Sequence, residues 1–279
     1  MDYRRMLEQH VATGAGVTIG CVPVPTELAS SFGVVGVNAQ RSVHSFIEKP
    51  SPATLEAASG FDVGPKVLAS MGIYVFTTDF LVDLLTRDAS IGSSSHDFGK
   101  DILPACVRDG QASAYQFVDE AGEPGYWRDV GTLDSYWGAH MELLDSTPAM
   151  DLYDDAWPIH TMATVGAPAR ISDDARHAVT NSLLALGTVV GRSSVTRSVL
   201  STNVRVADGS VLDEVVVLPG ARIGSGCKLR RCIVDSNVHV ADGTVVGFQL
   251  PSNIERIGTP RIALVTSDAT RTKDFRSVA

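Results

Sequence analysis

The chain of 279 residues has no unbroken apolar run long enough to span a bilayer. Its first residues, MDYRRMLEQHVATG, carry charge with no apolar stretch behind it. Neither a membrane anchor nor a secretory signal is therefore expected. Cysteine is scarce: Cys21, Cys106, Cys227 and Cys232 are scattered, and the one close pair has four residues between its members rather than the two of a redox or zinc motif. They read as small buried hydrophobes in a reduced, cytoplasmic protein. Basic excess is missing too, with 32 Asp and Glu against 23 Lys and Arg and a formal net charge of −9. Nucleic-acid binders concentrate Lys and Arg, so no nucleic-acid partner is expected. There is also neither a G-x-x-x-x-G-K-[ST] loop nor a G-x-G-x-x-G after a leading strand. No glycine-rich turn is available to cradle a nucleoside triphosphate.

What is present is the composition of an ordered globular chain, 44% hydrophobic and 20% charged, with room for one large domain or two. Tyr3, Met6, Leu7 and Val11 recur at helical spacing, with Asp2 as a cap and Gly14 as a stop. VTIGCVPV reads as a strand closed by Pro23 and Pro25, and FGVVGV and SVHSFI as a hairpin turning at NAQR. Residues 51–69 read as irregular. MGIYVF is a short apolar strand leading into TTDFLVDLL, a helix capped by Thr77 or Thr78 with Phe80, Leu81 and Leu84 inward. SHDFGKDILPACV reads as a further helix, AYQFV as a strand, and YWRDVGTLDSYWGAHMELLDS as an extended segment entering a helix at Thr132. This alternation with hairpins implies an α/β domain with a mixed sheet.

Composition shifts near Pro148, where an acidic, proline-bearing stretch reads as a linker. Beyond it apolar residues fall at steps of six: Val189 and Val195; Leu200, Val206, Leu212 and Leu218; Val217, Ile223 and Leu229; Val234, Val240 and Val246. Such steps suit a triangular coil of short parallel strands, with slips between registers. Gly187, Gly191, Asn203, Gly209, Gly220, Gly224, Gly226 and Gly243 supply corners. An antiparallel sandwich is the competing architecture.

Several polar groups could carry chemistry. Asp129, in PGYWRDVGT, is a candidate Mg²⁺ carboxylate, against the alternatives of pairing with Arg128 or capping the next helix. Glu48 and Lys49 follow an apolar strand and could enter a polar pocket, Lys49 as a phosphate ligand and Glu48 as a hydroxyl acceptor. His96 and Asp97 are adjacent and diverge on a regular element, so capping by Ser95 or Asp97 is the simpler role. His239, on the coil, has the residue type of an acyltransferase base.

Together, FGVVGV, FIEKP, SMGIYVF, SSHDFGKDILP, YWRDVGTLDSYW, LYDDAWPI and KLRRCIVDSNV resemble the ADP-glucose pyrophosphorylases (glucose-1-phosphate adenylyltransferases) of the bacterial glycogen type, from Asp2 nearly to the end. The resemblance implies an α/β fold: the C-terminal half of a Rossmann-like nucleotidyltransferase domain at 1–147, a linker at 148–165 and a left-handed parallel β-helix at 166–279. It also implies an allosteric homotetramer making ADP-glucose and pyrophosphate from ATP and glucose 1-phosphate in glycogen biosynthesis, with Mg²⁺. By matching motif positions, Gly33, Glu48, Lys49, Ser70, Tyr74, Asp97, Phe98 and Trp127 form the sugar-phosphate site. Lys49 neutralises the attacking phosphate, Glu48 and Asp97 accept sugar hydroxyls, Phe98 and Trp127 wall the pocket, and Asp129 is one metal carboxylate.

Family members also carry a glycine-rich, arginine-bearing ATP loop and a second metal aspartate in a Gly-Asp-His segment ahead of the helix at Asp2. Neither motif occurs in these 279 residues. The expectation is a truncated chain, with Met1 an internal methionine and residues 1–279 inactive alone. Arg230 and Arg231 are candidate effector contacts, or simply a solvated corner of the coil. Two other readings compete: a non-catalytic partner or regulatory subunit assembling through its β-helix, and an acyltransferase using His239.

Overall fold

The computed structural model describes residues 1–58, 64–119, 122–155, 158–162, 165–172, 178–248 and 262–267. Contacts divide the chain into two units, Met1–Trp127 and Arg128–Ala279.

The first unit is a five-stranded mixed sheet with helices on both faces. It opens with α1 (Tyr3–Thr13), capped by the Asp2 carboxylate on the Arg4 N–H and ended by Gly14 at φ +62°. The helix is as expected, and of its periodic apolar residues Met6 is buried, joined by His10, while Tyr3, Leu7 and Val11 are exposed. β1 (Val17–Pro25) runs antiparallel to β4 (Lys66–Phe76) and parallel to β5 (Ala112–Gln116). β2 (Gly33–Val37) and β3 (Val43–Glu48) form the expected hairpin, and the sheet order is β3-β2-β4-β1-β5.

The strand runs through Pro23 and closes at Pro25, as its prolines indicated. The Val17 N–H donates to the Gln111 carbonyl (2.9 Å) and the Cys21 carbonyl accepts from Phe117 (2.8 Å), so odd-numbered peptide groups of β1 face β5. Pro23 and Pro25 keep that alternation beyond the last pair, Cys21 with Gln116, where their missing N–H groups cost no ladder bond. Residues 51–69 are more regular than expected: Ser51 caps α2 (Pro52–Ala57), and β4 begins at Lys66. α3 (Thr78–Ala89) follows, with Leu84 buried.

The expected helix over SHDFGKDILPACV is two pieces. A wide turn at Phe98–Ile102, closed by the Ile102 N–H on the Asp97 carbonyl (3.2 Å), leads into α4 (Leu103–Arg108). One sheet face buries Val17, Ile19, Cys21, Phe46 and Cys106 with Leu84 and Leu103, and the other buries Val22, Val34, Ala69 and Tyr115 with Met6 and Leu55. All four cysteines are free and buried, as expected.

The second unit is a parallel β-helix, which excludes the antiparallel sandwich. Val195 pairs with Leu212, Leu212 with Leu229 and Leu229 with Val246, all parallel. Hydrogen bonds between successive coils join residues 17 apart. The buried interior runs Val195, Leu200, Val206, Leu212, Val217, Ile223, Leu229, Val234, Val240 and Val246. From Val195 onward each coil is two steps of six and one of five, and the preceding coil is one residue shorter, which accounts for the slips. The interior residue before Val195 is Val190, not Val189, and Leu218 faces outward.

Two corners use the residues that tolerate a left-handed backbone. Gly187, Asn203, Gly220 and Asn237 stack in one column at φ between +60° and +76°. Gly191 and Gly224 are not at such corners; a Cβ on either would meet the side chain of Asp208 or Asp242 on the next coil. Buried hydroxyls satisfy the backbone at another column. Ser210 Oγ donates to the Gly224 carbonyl (2.8 Å) and accepts from the Cys227 N–H (3.0 Å).

α5 (Leu133–Glu142) starts at a capping box in which Thr132 and Ser135 each bond the other's backbone N–H through their hydroxyls. Tyr136, Trp137, Met141 and the following Leu144 cover the outer aliphatic face of the coil at Val216 and Ile233, and Trp137 Nε1 donates to the Glu214 carbonyl (2.8 Å). No regular element occurs among the described residues of 148–165.

Candidate functional site

The candidate site builds from the carboxyl end of β3. Glu48 is paired with Gly33, and a Cβ at Gly33 would stand 2.9 Å from Glu48 Oε2 and 2.5 Å from the Phe46 ring. A Cβ at Gly99 would stand 2.6 Å from the same Glu48 oxygen. Glu48 is therefore seated between two backbones that only glycine allows so near. Lys49 follows at φ +46°, its N–H on the Phe32 carbonyl (2.9 Å), with Nζ exposed and 4.0 Å from Glu48 Oε1.

β4 supplies two hydroxyls through an irregularity. Ile19 pairs with Tyr74 and Cys21 with Ser70, leaving Met71, Gly72 and Ile73 opposite Gly20 alone. Residues four apart on a regular strand lie roughly 13 Å apart. Here the bulge brings Ser70 Oγ and Tyr74 OH to 3.4 Å. The Tyr74 hydroxyl is pushed above its ordinary pKa, first by burial and then by the carboxylates of Glu48 and Asp97, with the Ser70 bond opposing.

The wide turn after α3 closes the site. Asp97 Oδ1 accepts the N–H groups of Gly99 (2.8 Å) and Lys100 (2.9 Å), fulfilling its expected capping role, while Ser95 does not cap. Phe98 stacks on Tyr74 with centroids 6.1 Å apart and planes at 10°. Gly33, Glu48, Ser70, Tyr74, Asp97 and Phe98 are thereby brought to one face of the sheet, with Lys49 at the rim. Trp127 instead packs edge-on against Phe32 at 5.4 Å, in the cluster on the opposite face.

Asp129 lies in the second unit, exposed, with Oδ1 accepting the Gly131 N–H (3.1 Å). Neither of its alternative roles is filled: Arg128 pairs with Glu142, and Thr132 caps α5. Among the described residues no group of three or more His, Cys, Asp or Glu is placed to hold a metal. Nor is any helix among them long and apolar enough to cross a membrane. Arg230 pairs with Asp213, and Arg231 lies over the Trp137 ring at 4.9 Å with Nε 3.9 Å from Glu214 Oε2. His239 is exposed, in register with Arg222.

Sequence reasoning missed Asp88. It is buried in the last turn of α3, where Oδ2 accepts His96 Nδ1–H (2.7 Å) and Oδ1 accepts Ser94 Oγ–H (2.7 Å). No periodicity marks it, because its partners come from the loop that follows.

A mixed α/β unit with an acidic, aromatic cluster at a strand end, followed by a hexapeptide β-helix, defines a two-unit class of protein. Residues 1–146 match the Nucleotidyl transferase family, and residues 167–260 match the GlmU-like, C-terminal hexapeptide family. The chain belongs to the nucleotidyl transferase family. It is similar to glucose-1-phosphate adenylyltransferases of Mesorhizobium japonicum (41% identical, over 96% of this chain and 65% of the relative) and Rhizobium etli (44%, over 88% and 60%). It is also similar to that of Rhodopseudomonas palustris strain BisB18 (43%, over 82% and 56%). The chain thus spans between 56% and 65% of the length of these relatives.

Proposed function

We propose that the chain carries the sugar-phosphate pocket of a glucose-1-phosphate adenylyltransferase, the activity named for its relatives. The observation that supports this best is Glu48 held between Gly33 and Gly99 beside Tyr74 and Asp97, a set of acceptors facing a stacked aromatic wall. Glu48 and the Asp97 Oδ2 left over from capping accept sugar hydroxyls, and Phe98 gives the ring an apolar surface. Lys49 Nζ neutralises a phosphate oxygen as a point charge. These groups align the phosphate for attack on the α-phosphorus of ATP, so catalysis is by positioning and charge rather than through a covalent enzyme intermediate.

Mg²⁺ is the proposed metal, and Asp129 would hold it. With Oδ1 on Gly131, it keeps Oδ2 for a cation that takes one or two carboxylates and completes its shell with water and substrate phosphates. When bound, the metal supplies charge neutralisation at phosphate oxygens. Glycogen biosynthesis, a cytoplasmic site, allosteric control and a homotetramer belong to the same proposal.

Calorimetric titration with glucose 1-phosphate tests it. Wild type binds, and Glu48→Gln and Lys49→Ala each lose most of the affinity; absence of binding by wild type overturns the reading. Residues 1–279 contain no glycine-rich triphosphate loop. The chain alone, given ATP, glucose 1-phosphate and Mg²⁺, is therefore expected to release no pyrophosphate.

One observation favours a second reading, a partner or regulatory subunit. Arg205, Arg222 and His239 stand in register on one exposed face of the coil, a cationic column in a chain of net charge −9. Such a column suits an acidic surface on a neighbouring subunit. Under this reading Arg205→Glu with Arg222→Glu lowers the oligomeric state measured by light scattering; an unchanged mass removes it.

A further inference from the structure

The turn that brings Asp97 and Phe98 to the pocket is anchored from outside the pocket by two carboxylates. Asp88 reaches it from α3. Its Oδ2 holds the His96 ring and its Oδ1 holds Ser94 Oγ, which in turn accepts the His96 N–H (3.0 Å). Asp101 reaches it from the turn itself, where Oδ2 accepts the Ser95 N–H (3.2 Å), the Ser95 hydroxyl (2.5 Å) and the Asp97 N–H (3.1 Å). Between them, His96 sits at φ +58°, a left-handed conformation uncommon outside glycine, with both its ring and its N–H held by this network.

We propose that Asp88 and Asp101 are positioning residues for the sugar-phosphate pocket: through His96, Ser94 and Ser95 they fix the backbone from which Asp97 and Phe98 meet Glu48 and Tyr74. The proposal rests on the reading of that pocket given above. Its logic is a chain of contacts. Asp97 can cap Gly99 and Lys100 only if its own backbone is held, and Gly99 is the residue that backs Glu48. Releasing His96 from its left-handed conformation turns the Asp97 backbone, and with it both the capping carboxylate and the ring stacked on Tyr74.

The pair also fixes the histidine's chemistry. A nitrogen 2.7 Å from a carboxylate oxygen carries a proton, so neutral His96 is the Nδ1–H tautomer with its Nε2 lone pair directed elsewhere. An amide in place of the Asp88 carboxylate offers one acceptor to two donors. Asp88→Asn therefore makes either Ser94 or His96 accept from the new N–H instead of donating, while keeping the shape of the buried side chain.

The experiment uses the whole chain, with nitrogen NMR of His96, amide hydrogen exchange and titration with glucose 1-phosphate. In wild type the His96 shifts report Nδ1–H, and the Gly99 and Lys100 amides are protected. In Asp88→Asn and in Asp101→Asn those two amides exchange faster, while Leu84 in the middle of α3 keeps its protection. Asp88→Asn also relaxes the tautomer. Glucose 1-phosphate then binds about tenfold more weakly or worse, as expected when a binding group is displaced by a fraction of an ångström. Ser94→Ala, which leaves both carboxylates in place, moves the same amides in the same direction by less.

Unchanged Gly99 and Lys100 exchange in both carboxylate variants overturns the proposal. So does loss of Leu84 protection alongside them, which would make Asp88 a support for its helix and nothing more. If wild type fails to bind glucose 1-phosphate, the pocket reading falls instead, and the exchange and tautomer measurements still decide whether the two carboxylates hold the turn.

Discussion

A single methyl group at Gly99 is enough to probe the pocket. Its Cβ would lie 2.6 Å from Glu48 Oε2 and 2.8 Å from Glu48 Cδ, so Gly99→Ala drives the Glu48 side chain out of its seat. Glu48 is a half-buried residue at a strand end, and the displaced side chain can move toward solvent. The expected result is a loss of glucose 1-phosphate affinity of about tenfold or more with little change in the denaturation midpoint, measured side by side by calorimetry and urea melts. Gly33→Ala is the contrasting case. Its Cβ meets the ring of Phe46, a residue of the buried cluster, at 2.5 Å, so stability falls together with binding. At this scale the sequence reads well where neighbouring residues of one contiguous motif are brought together, as with Glu48 and Lys49 or Asp97 and Phe98. It reads poorly where two distant backbones must meet. Ser70 and Tyr74 share a site only because of the bulge at Met71–Ile73, and Asp88 only because a loop returns to the end of its own helix.

Among the elements, α5 shows how local signals and packing combine. The cap at Thr132 is legible in the sequence, but its reciprocal bond with Ser135 and the face the helix covers are not, since the hydrophobic partners Val216 and Ile233 are far along the chain. Thr132→Ala removes one side of the box and is expected to cost about 1 kcal/mol of helix stability. Faster amide exchange in the first turn of α5, with the coil amides of Leu212 and Leu229 unchanged, is the check. Equal acceleration in the coil would show that the cap supports more than its helix. The β-helix was legible as parallel coils from its steps of six alone. Its exact register was not, because every coil spends one step of five at the corner occupied by Arg197, Glu214 and Arg231, all at positive φ. Charged residues in that conformation carry no turn signature. The prolines of β1 were legible as its end: the strand stops at Pro25, and Pro23 is tolerated inside it because the neighbouring strand has already stopped.

For the molecule as a whole, acid sensitivity follows from three groups whose protonation is tied to folding. His10 is buried between α1, β1 and the start of α3, with Nδ1 2.9 Å from Thr18 Oγ1 and Nε2 3.2 Å from Thr77 Oγ1. Burial lowers its pKa below 6.5. Asp88 is held below the ordinary carboxylate range first by the His96 bond and then by Ser94, and Asp101 first by the Ser95 hydroxyl and then by the Asp97 N–H. In each case the unfolded chain takes up a proton at a higher pH than the folded one. Folding stability is therefore complete at neutral pH and declines as pH falls through the window between the unfolded and folded values. The His10 window opens just below about 6.5 and the carboxylate window just below about 3.9, so the loss on acidification comes in two stages. Urea midpoints measured from pH 8 to pH 3 should show both. His10→Gln, which keeps a polar group between the two threonine hydroxyls but cannot titrate, should flatten the upper stage and leave the lower one in place. Persistence of the upper stage in that variant would assign it to another group.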